Sequence, residues 1–189
     1  MTADTEFLAA GFRHIVAAGD IKTTLTNLVK AAAQAVGSDS GSFFMLNAAT
    51  GRLEPYVLVN VPEDYLAGCS TVPLGTQCCG RAALHKTPWV VSDMWTDPLF
   101  SDCREAALKS GMRAGFSVPV LAANGDCIGT LGCQFREPYS PDLYAIERSR
   151  LFAQLIAFAV AREKELARHH KHKKDTKAAA DPALSQSAD

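Results

Sequence analysis

The residues of this chain that could do chemistry are its thiols. The 189 residues include six cysteines. Cys103 begins a predicted helix, and the dipole at a helix start lowers the pKa of a thiol. The resulting thiolate needs a second thiol to resolve a sulfenic acid, and Cys78 and Cys79 are the candidates. Cys127 and Cys133 lie in a predicted apolar strand, which favours buried thiols that act as small hydrophobic side chains.

Composition limits the other classes of function. The chain is 48% hydrophobic with a net charge of −1, which predicts one globular domain and gives no electrostatic reason to expect a nucleic-acid partner. Its start, MTADTEF, lacks the basic and apolar segments of a signal peptide, and no apolar run reaches the roughly 18 residues of a membrane span. We therefore expect a cytoplasmic protein without a membrane partner, in which disulfides are not a structural framework.

Two hairpins are predicted to form the sheet that positions the thiols. Residues 111–120 are predicted to contain the end of a helix and then an apolar strand. Asn124-Gly125 is typical of a tight hairpin turn, and residues 127–135 are predicted to form the second strand of that hairpin. Earlier in the chain, residues 42–47 and 53–59 form a second hairpin around a glycine-containing turn.

Helices are predicted at both ends of the chain. Residues 1–19 contain an N-terminal helix, and Asp20 caps the helix that follows it. Residues 20–170 form the domain, which ends in a long helix with Ser140 as its N-cap and Pro141 at its first position. The remainder, 171–189, has no apolar periodicity and is predicted to be a disordered tail.

The C-terminal helix is apolar on nearly every side between residues 151 and 161, so it must be covered on more than one face. One face can lie on the sheet. The other can be covered by a second copy of the chain, which is the favoured prediction, or by the N-terminal helix of the same chain.

The order and spacing of short motifs between Gly75 and Pro138 resemble the GAF family of sensory domains, in the variety found in bacterial sensor kinases. The resemblance covers roughly residues 20 to 165. It implies an α+β, GAF/PAS-like fold, with a central antiparallel sheet, terminal helices on one face and a pocket roofed by loops and helices on the other. The motifs are Cys79-Gly80, Asp93 to Asp97-Pro98, Arg113-Ala114, Ser117-Val118-Pro119-Val120, Gly125, Ile128-Gly129-Thr130 and Arg136-Glu137-Pro138.

The same resemblance implies where a ligand would bind. The floor of the pocket draws on Phe43, Met45, Tyr56, Phe116 and Gln134. The roof of the pocket is residues 62–110, with Trp89, Trp95 and Phe100 in or near it. The alternative is that these side chains fill the pocket themselves. Arg113 could hold an anionic group, or could pair with Asp93 or Asp97. The candidate ligand-binding residues are Phe43, Met45, Tyr56, Cys79, Trp95, Phe100, Cys103, Arg113, Phe116 and Gln134.

Free methionine-R-sulfoxide reductases are GAF proteins with cysteines in places comparable to Cys78, Cys79 and Cys103. The acids that those enzymes carry on the next strands are missing here from 114–117 and 132–135. Motifs for covalent bilin, haem, cyclic nucleotides and zinc are absent too, so no cofactor and no metal is predicted.

The sequence thus predicts a non-catalytic sensory domain. A small molecule, or the redox state of a roof cysteine, would change the roof, and the terminal helices of a homodimer would carry that change to a signalling partner. The first alternative is a thiol-dependent sulfoxide reductase, and the second is a closed-pocket dimerisation module.

Overall fold

The computed structural model describes residues 19–180, except the side chains at positions 99, 175 and 177–180, together with Ala9 and Arg13. In chain order the elements are α1 (Ile21–Ala35), β1 (Ser40–Asn47), β2 (Arg52–Val59), α2 (Glu63–Cys69), β3 (Val72–Pro73), α3 (Gln77–His85), β4 (Trp89–Val91), a 3-10 helix (Pro98–Cys103), α4 (Arg104–Ser110), β5 (Ala114–Leu121), β6 (Cys127–Phe135) and α5 (Leu143–Ala180).

The sheet is antiparallel and has the strand order β3-β2-β1-β6-β5-β4. Both predicted hairpins, β1–β2 and β5–β6, are present, and they join where Phe43 lies opposite Leu131. Gly125 adopts a φ of 82°, which a glycine tolerates without strain, and the Ala122 amide donates to the Asp126 carbonyl at 2.8 Å to close the turn. The sheet thus follows the α+β architecture expected from the sequence.

One face of the sheet is covered by α1 and α5. Asp20 caps α1 as predicted, because its carboxylate accepts from the Thr23 amide at 2.9 Å. The apolar stripe of α1 then packs with the buried face of α5, represented by Phe152 and Ile156, against the sheet. This cluster holds most of the core.

The start of α5 differs from the prediction. Asp142, not Ser140, caps the helix, since its carboxylate accepts from the Ala145 amide at 2.7 Å. Ser140 instead pairs its hydroxyl with Ser92 at 3.0 Å, and the Tyr139 amide donates to the Ser92 carbonyl. The segment between β6 and α5 is therefore tied to the edge of the sheet before the helix begins.

The far end of α5 also differs from the prediction. The helix continues to Ala180, ten residues beyond the boundary predicted for a disordered tail, and the side chains of residues 161–174 are exposed. Residues 181–189 and nearly all of the predicted N-terminal helix lie outside the described residues, so the covering of α5 by that helix is not described. Within residues 19–180 no helix is long and apolar enough to cross a membrane.

Candidate functional site

The second face of the sheet is covered by residues 62–110, from α2 to α4, which we call the roof. Beneath it the sheet presents a polar network. The Ser40 hydroxyl donates to the Gln134 side-chain oxygen at 3.0 Å, and the Gln134 amide donates to the Ser42 hydroxyl at 2.9 Å. All three are buried, and Gly132 leaves the space that the Gln134 amide occupies. The network is satisfied internally, which fixes Gln134 in place.

Two thiols on α3 face this network. Cys79 pairs with the Ser117 hydroxyl at 3.1 Å, and Cys78 donates to the Trp89 carbonyl at 3.1 Å. Burial raises the pKa of both thiols. Both are therefore neutral thiols at physiological pH, which argues against either one attacking a substrate as a thiolate.

A third thiol, Cys103, is different. It caps α4, as the sequence predicted, but the main cause of its lowered pKa is a hydrogen bond from the Cys69 thiol at the end of α2. The pKa of Cys69 is raised because its proton is held by Cys103 and because the site is buried. The sequence analysis did not single out Cys69, since no sequence signal links the end of α2 to the start of α4.

Arg113 pairs with Asp93, which is one of the two acidic partners that the sequence offered as an alternative to an anionic ligand. Its guanidinium donates from Nη2 to Asp93 at 3.0 Å and from Nε to both oxygens of the same carboxylate at 3.3 Å. It also lies 4.4 Å from the centre of the Trp95 ring, whose Nε1 donates to the Met112 carbonyl. The hydrogen bonds from Arg113 lower the pKa of Asp93. This cluster attaches the roof to the start of β5.

Between the roof and the polar network lies a cavity of about 20 Å³. That volume holds about one water molecule, so the site is closed to larger ligands in this conformation. The roof aromatics Phe100 and Tyr65 occupy the remaining space, together with Met94. Of the three aromatic residues that the alternative prediction placed in the pocket, Phe100 lines the cavity, whereas Trp89 and Trp95 do not. The cavity is lined by Tyr65, Gln77, Cys78, Cys79, Met94, Phe100, Gly115, Phe116, Ser117, Cys133 and Gln134.

The predicted site residues fall into three groups. Cys79, Phe100 and Gln134 line the cavity. Three others, Trp95, Cys103 and Arg113, belong to the roof or its attachment to the sheet. The remaining four, Phe43, Met45, Tyr56 and Phe116, pack with the terminal helices on the opposite face, although Phe116 also borders the cavity. The structure thus corrects the predicted floor of the pocket, although ligand binding by the other residues stays a prediction.

Strand register explains the correction. Side chains alternate between the faces of a strand, and residues directly opposite in an antiparallel pair share a face. Gln134 lies opposite Gly115, whereas Phe116 lies opposite Cys133, so Gln134 and the Phe116 ring cannot belong to one surface. The signal was present in β5, where the small residues Gly115 and Ser117 alternate with larger ones.

A family model described as GAF domain matches residues 20–160. The chain belongs to the GAF domain family. A methyl sulfide methyltransferase-associated sensor of Methanosarcina acetivorans is 28% identical over 89 residues, which are 47% of this chain but only 9% of that sensor.

Solved structures agree on the GAF fold. The GAF domain of an Acinetobacter phosphoenolpyruvate-protein phosphotransferase has a TM-score of 0.73 at 14% identity, over 89% of this chain and 99% of its own. A free methionine-R-sulfoxide reductase from Neisseria meningitidis, solved with its substrate, has a TM-score of 0.69 at 18% identity, over 88% and 95% of the two chains. At these identities the likeness shows the fold alone.

Proposed function

We propose that this GAF domain is a non-catalytic sensory module that acts as a homodimer in the cytoplasm. A small molecule or a change in thiol redox state alters the roof, and the terminal helices carry the change to a signalling partner. The main support for this proposal is the position of α5. One face of this helix packs on β5 and β6, whose other face bears the polar network, and its opposite face carries exposed apolar side chains.

The exposed apolar side chains of α5 support pairing with a second copy. Tyr144 and Phe158 are 69% and 55% exposed, and with the half-buried Leu151 they follow at seven-residue intervals. Residues at that interval lie on one side of a helix, as in the seam of a coiled coil. An apolar stripe with this spacing suits a helix–helix dimer interface.

The dimer is tested by Phe158→Glu, because a buried charge in the seam opposes pairing. We expect sedimentation velocity to show dimers of the wild-type chain and monomers of the variant at the same concentration. Leu108→Glu on α4 is the matched control, since Leu108 is 49% exposed but lies on the roof. A monomeric wild-type chain would contradict the proposed homodimer.

Ligand sensing is tested by a thermal-shift screen of cellular metabolites, followed by binding measurements on Gln134→Leu. A ligand that enters beneath the roof must displace or use the Gln134 amide, so the variant should bind it much more weakly. The control is Tyr56→Phe, on the helix-packed face. If no metabolite shifts the melting temperature and oxidation has no effect either, the chain is a closed-pocket dimerisation module instead.

The reductase alternative is favoured by the place of Cys103 at the N-cap of α4, together with its lowered pKa. The buried, neutral Cys79 and the cavity of about 20 Å³ oppose it. We expect no thioredoxin-coupled turnover of free methionine sulfoxide. Turnover that disappears in Cys103→Ser would establish the enzyme in place of the sensor.

A further inference from the structure

Two buried thiols on separate roof helices belong to one packed cluster. Cys69 is the last residue of α2 and Cys103 caps α4, and the two residues are 3% and 2% exposed. The Cys103 thiol donates to the Gly68 carbonyl at 3.5 Å, next to Cys69 in the chain. Both thiols are free.

The backbones of the two helices approach closely beside this pair. A Cβ atom placed on Gly68 would lie 2.6 Å from the Cβ of Ala106, so glycine is required for α2 and α4 to pack at this distance. A disulfide needs Cβ atoms about 3.5–4.5 Å apart. The close packing of these helices therefore favours the formation of a disulfide without large movement of the backbone.

The two thiols have different electronic roles. Cys103 lies at the N-cap of α4, where the helix dipole favours a thiolate, whereas Cys69 ends α2. The pKa of Cys103 is lowered and that of Cys69 is raised. The thiolate is the nucleophile in thiol chemistry. Cys103 is therefore the sulfur that reacts first, and Cys69 is next to it as the resolving thiol. Among the described residues no group of three or more potential ligands could hold a metal ion, so nothing there suggests metal binding as the reason for the pair.

We propose that Cys69 and Cys103 form a reversible disulfide in response to a hydroperoxide. The Cys103 thiolate attacks the O–O bond, takes one oxygen as a sulfenic acid and releases hydroxide or alkoxide, which takes up the Cys69 proton. The Cys69 sulfur then attacks the Cys103 sulfur, the S–O bond breaks and hydroxide leaves, to be protonated to water. With hydrogen peroxide, two thiols and one oxidant give one disulfide and two waters.

The disulfide would restrict the movement of the whole roof. It closes the chain from 69 to 103, a segment that holds β3, α3 and β4 with Cys78 and Cys79. It also joins α2 to α4 covalently, so those two helices can no longer separate to enlarge the cavity. The oxidised protein has a locked roof, whereas the reduced protein has a roof that can open. This inference deepens the proposed sensory function and rests on it for its biological meaning.

The test is to treat the full chain with hydrogen peroxide, block free thiols, digest without reductant and map linked peptides by mass spectrometry. We expect a peptide pair joined through Cys69 and Cys103 that a dithiol reductant separates. The melting temperature of the oxidised protein should be higher by on the order of 5–10 °C, because the disulfide lowers the conformational entropy of the unfolded chain. Cys69→Ser should remove the shift, and Cys127→Ser, at the other end of the sheet, should retain it.

Three results would overturn the inference: a link from Cys103 to Cys78 or Cys79, irreversible oxidation of Cys103 without a link, or no reaction of either thiol. The mapping uses the wild-type chain, so it stands even if Cys69→Ser does not fold. Hydrogen exchange of α5 separates this inference from the proposed function. If the disulfide forms but exchange in α5 is unchanged, the pair is real and redox signalling through the helix is wrong. If no disulfide forms, metabolite sensing is unaffected.

Discussion

At the scale of single residues, the Cys79-Gly80 motif has a steric reason. A Cβ atom on Gly80 would overlap the Pro73 carbonyl oxygen and press on Val72, because α3 lies directly on strand β3. The Gly80 carbonyl also accepts from the Gly75 amide at 2.8 Å. The glycine therefore sets how closely α3, with Cys78 and Cys79, approaches the sheet.

We predict that Gly80→Ala destabilises the fold by about 1–3 kcal/mol or more, since the opposing atom is backbone and cannot rotate away. Urea denaturation measures the change. Gly19→Ala is the matched control, because a Cβ there meets nothing within 4 Å. Equal stability of the two variants would show that α3 shifts freely on β3.

Arg113 and Asp93 give the fold a pH dependence. The folded-state pKa of Asp93 is lowered by hydrogen bonds from Arg113, so the pair contributes stability above the unfolded pKa of about 3.9. That contribution is lost as the pH falls through the lowered folded value.

We therefore expect Asp93→Asn to lower the urea midpoint at pH 7 and to converge with the wild-type chain as the pH falls below about 4. Asp64→Asn, at an exposed position on α2, is the control for the loss of one negative charge. A gap between wild type and Asp93→Asn that is constant with pH would mean that the carboxylate is not what stabilises the roof.

At the scale of elements, the cap of α5 decides where the helix begins. The sequence contains two good capping residues, Ser140 and Asp142, and local propensity favours both. The structure uses Ser140 to bind Ser92 beside the sheet, which leaves Asp142 to accept from the Ala145 amide. A tertiary contact thus selected between two caps of similar local quality.

We predict that Asp142→Ala lowers the free energy of unfolding by about 1 kcal/mol, as expected for the loss of an N-cap. Ser140→Ala should cost less, because its hydroxyl pairs with another exposed hydroxyl. Thermal denaturation of both variants compares the two. If Ser140→Ala lowers the free energy of unfolding more than Asp142→Ala does, then Ser140 caps the helix, as the sequence predicted.

At the scale of the whole molecule, the sheet separates two layers. One face carries the roof with Cys78, Cys103 and the small cavity, and the other carries the terminal helices to which we assign the proposed partner contact. The last part of α5 extends beyond this body, with exposed side chains from 161 to 174. None of the side chains described between 161 and 174 is buried in the core.

Removing residues 171–189 should therefore change the melting temperature by no more than about 1 °C, since little buried apolar surface is lost. The shortened and full chains are compared at a concentration at which both have the same oligomeric state. Calorimetry at several concentrations makes the comparison. A fall of several degrees would show that this segment packs against the domain or a second copy.

The sequence by itself determined the family, the two hairpins and the Asp20 cap, and it left Arg113 with Asp93, Asp97 or an anionic ligand as partner. The determined features depend on local patterns: turn residues, alternation and capping groups. The match of a GAF family model over residues 20–160 confirms the resemblance found in those motifs.

The tertiary structure decided the rest. Strand register sent Phe43, Met45 and Tyr56 to the helices, since a shift of one residue exchanges the faces of a strand and the aromatic rings alone do not fix that phase. The packing of α2 on α4 brought Cys69 to Cys103, two residues far apart in the chain with no shared motif. The sequence indicated thiol chemistry in general, but the thiol that packs in one cluster with Cys103 is determined by how the two helices meet.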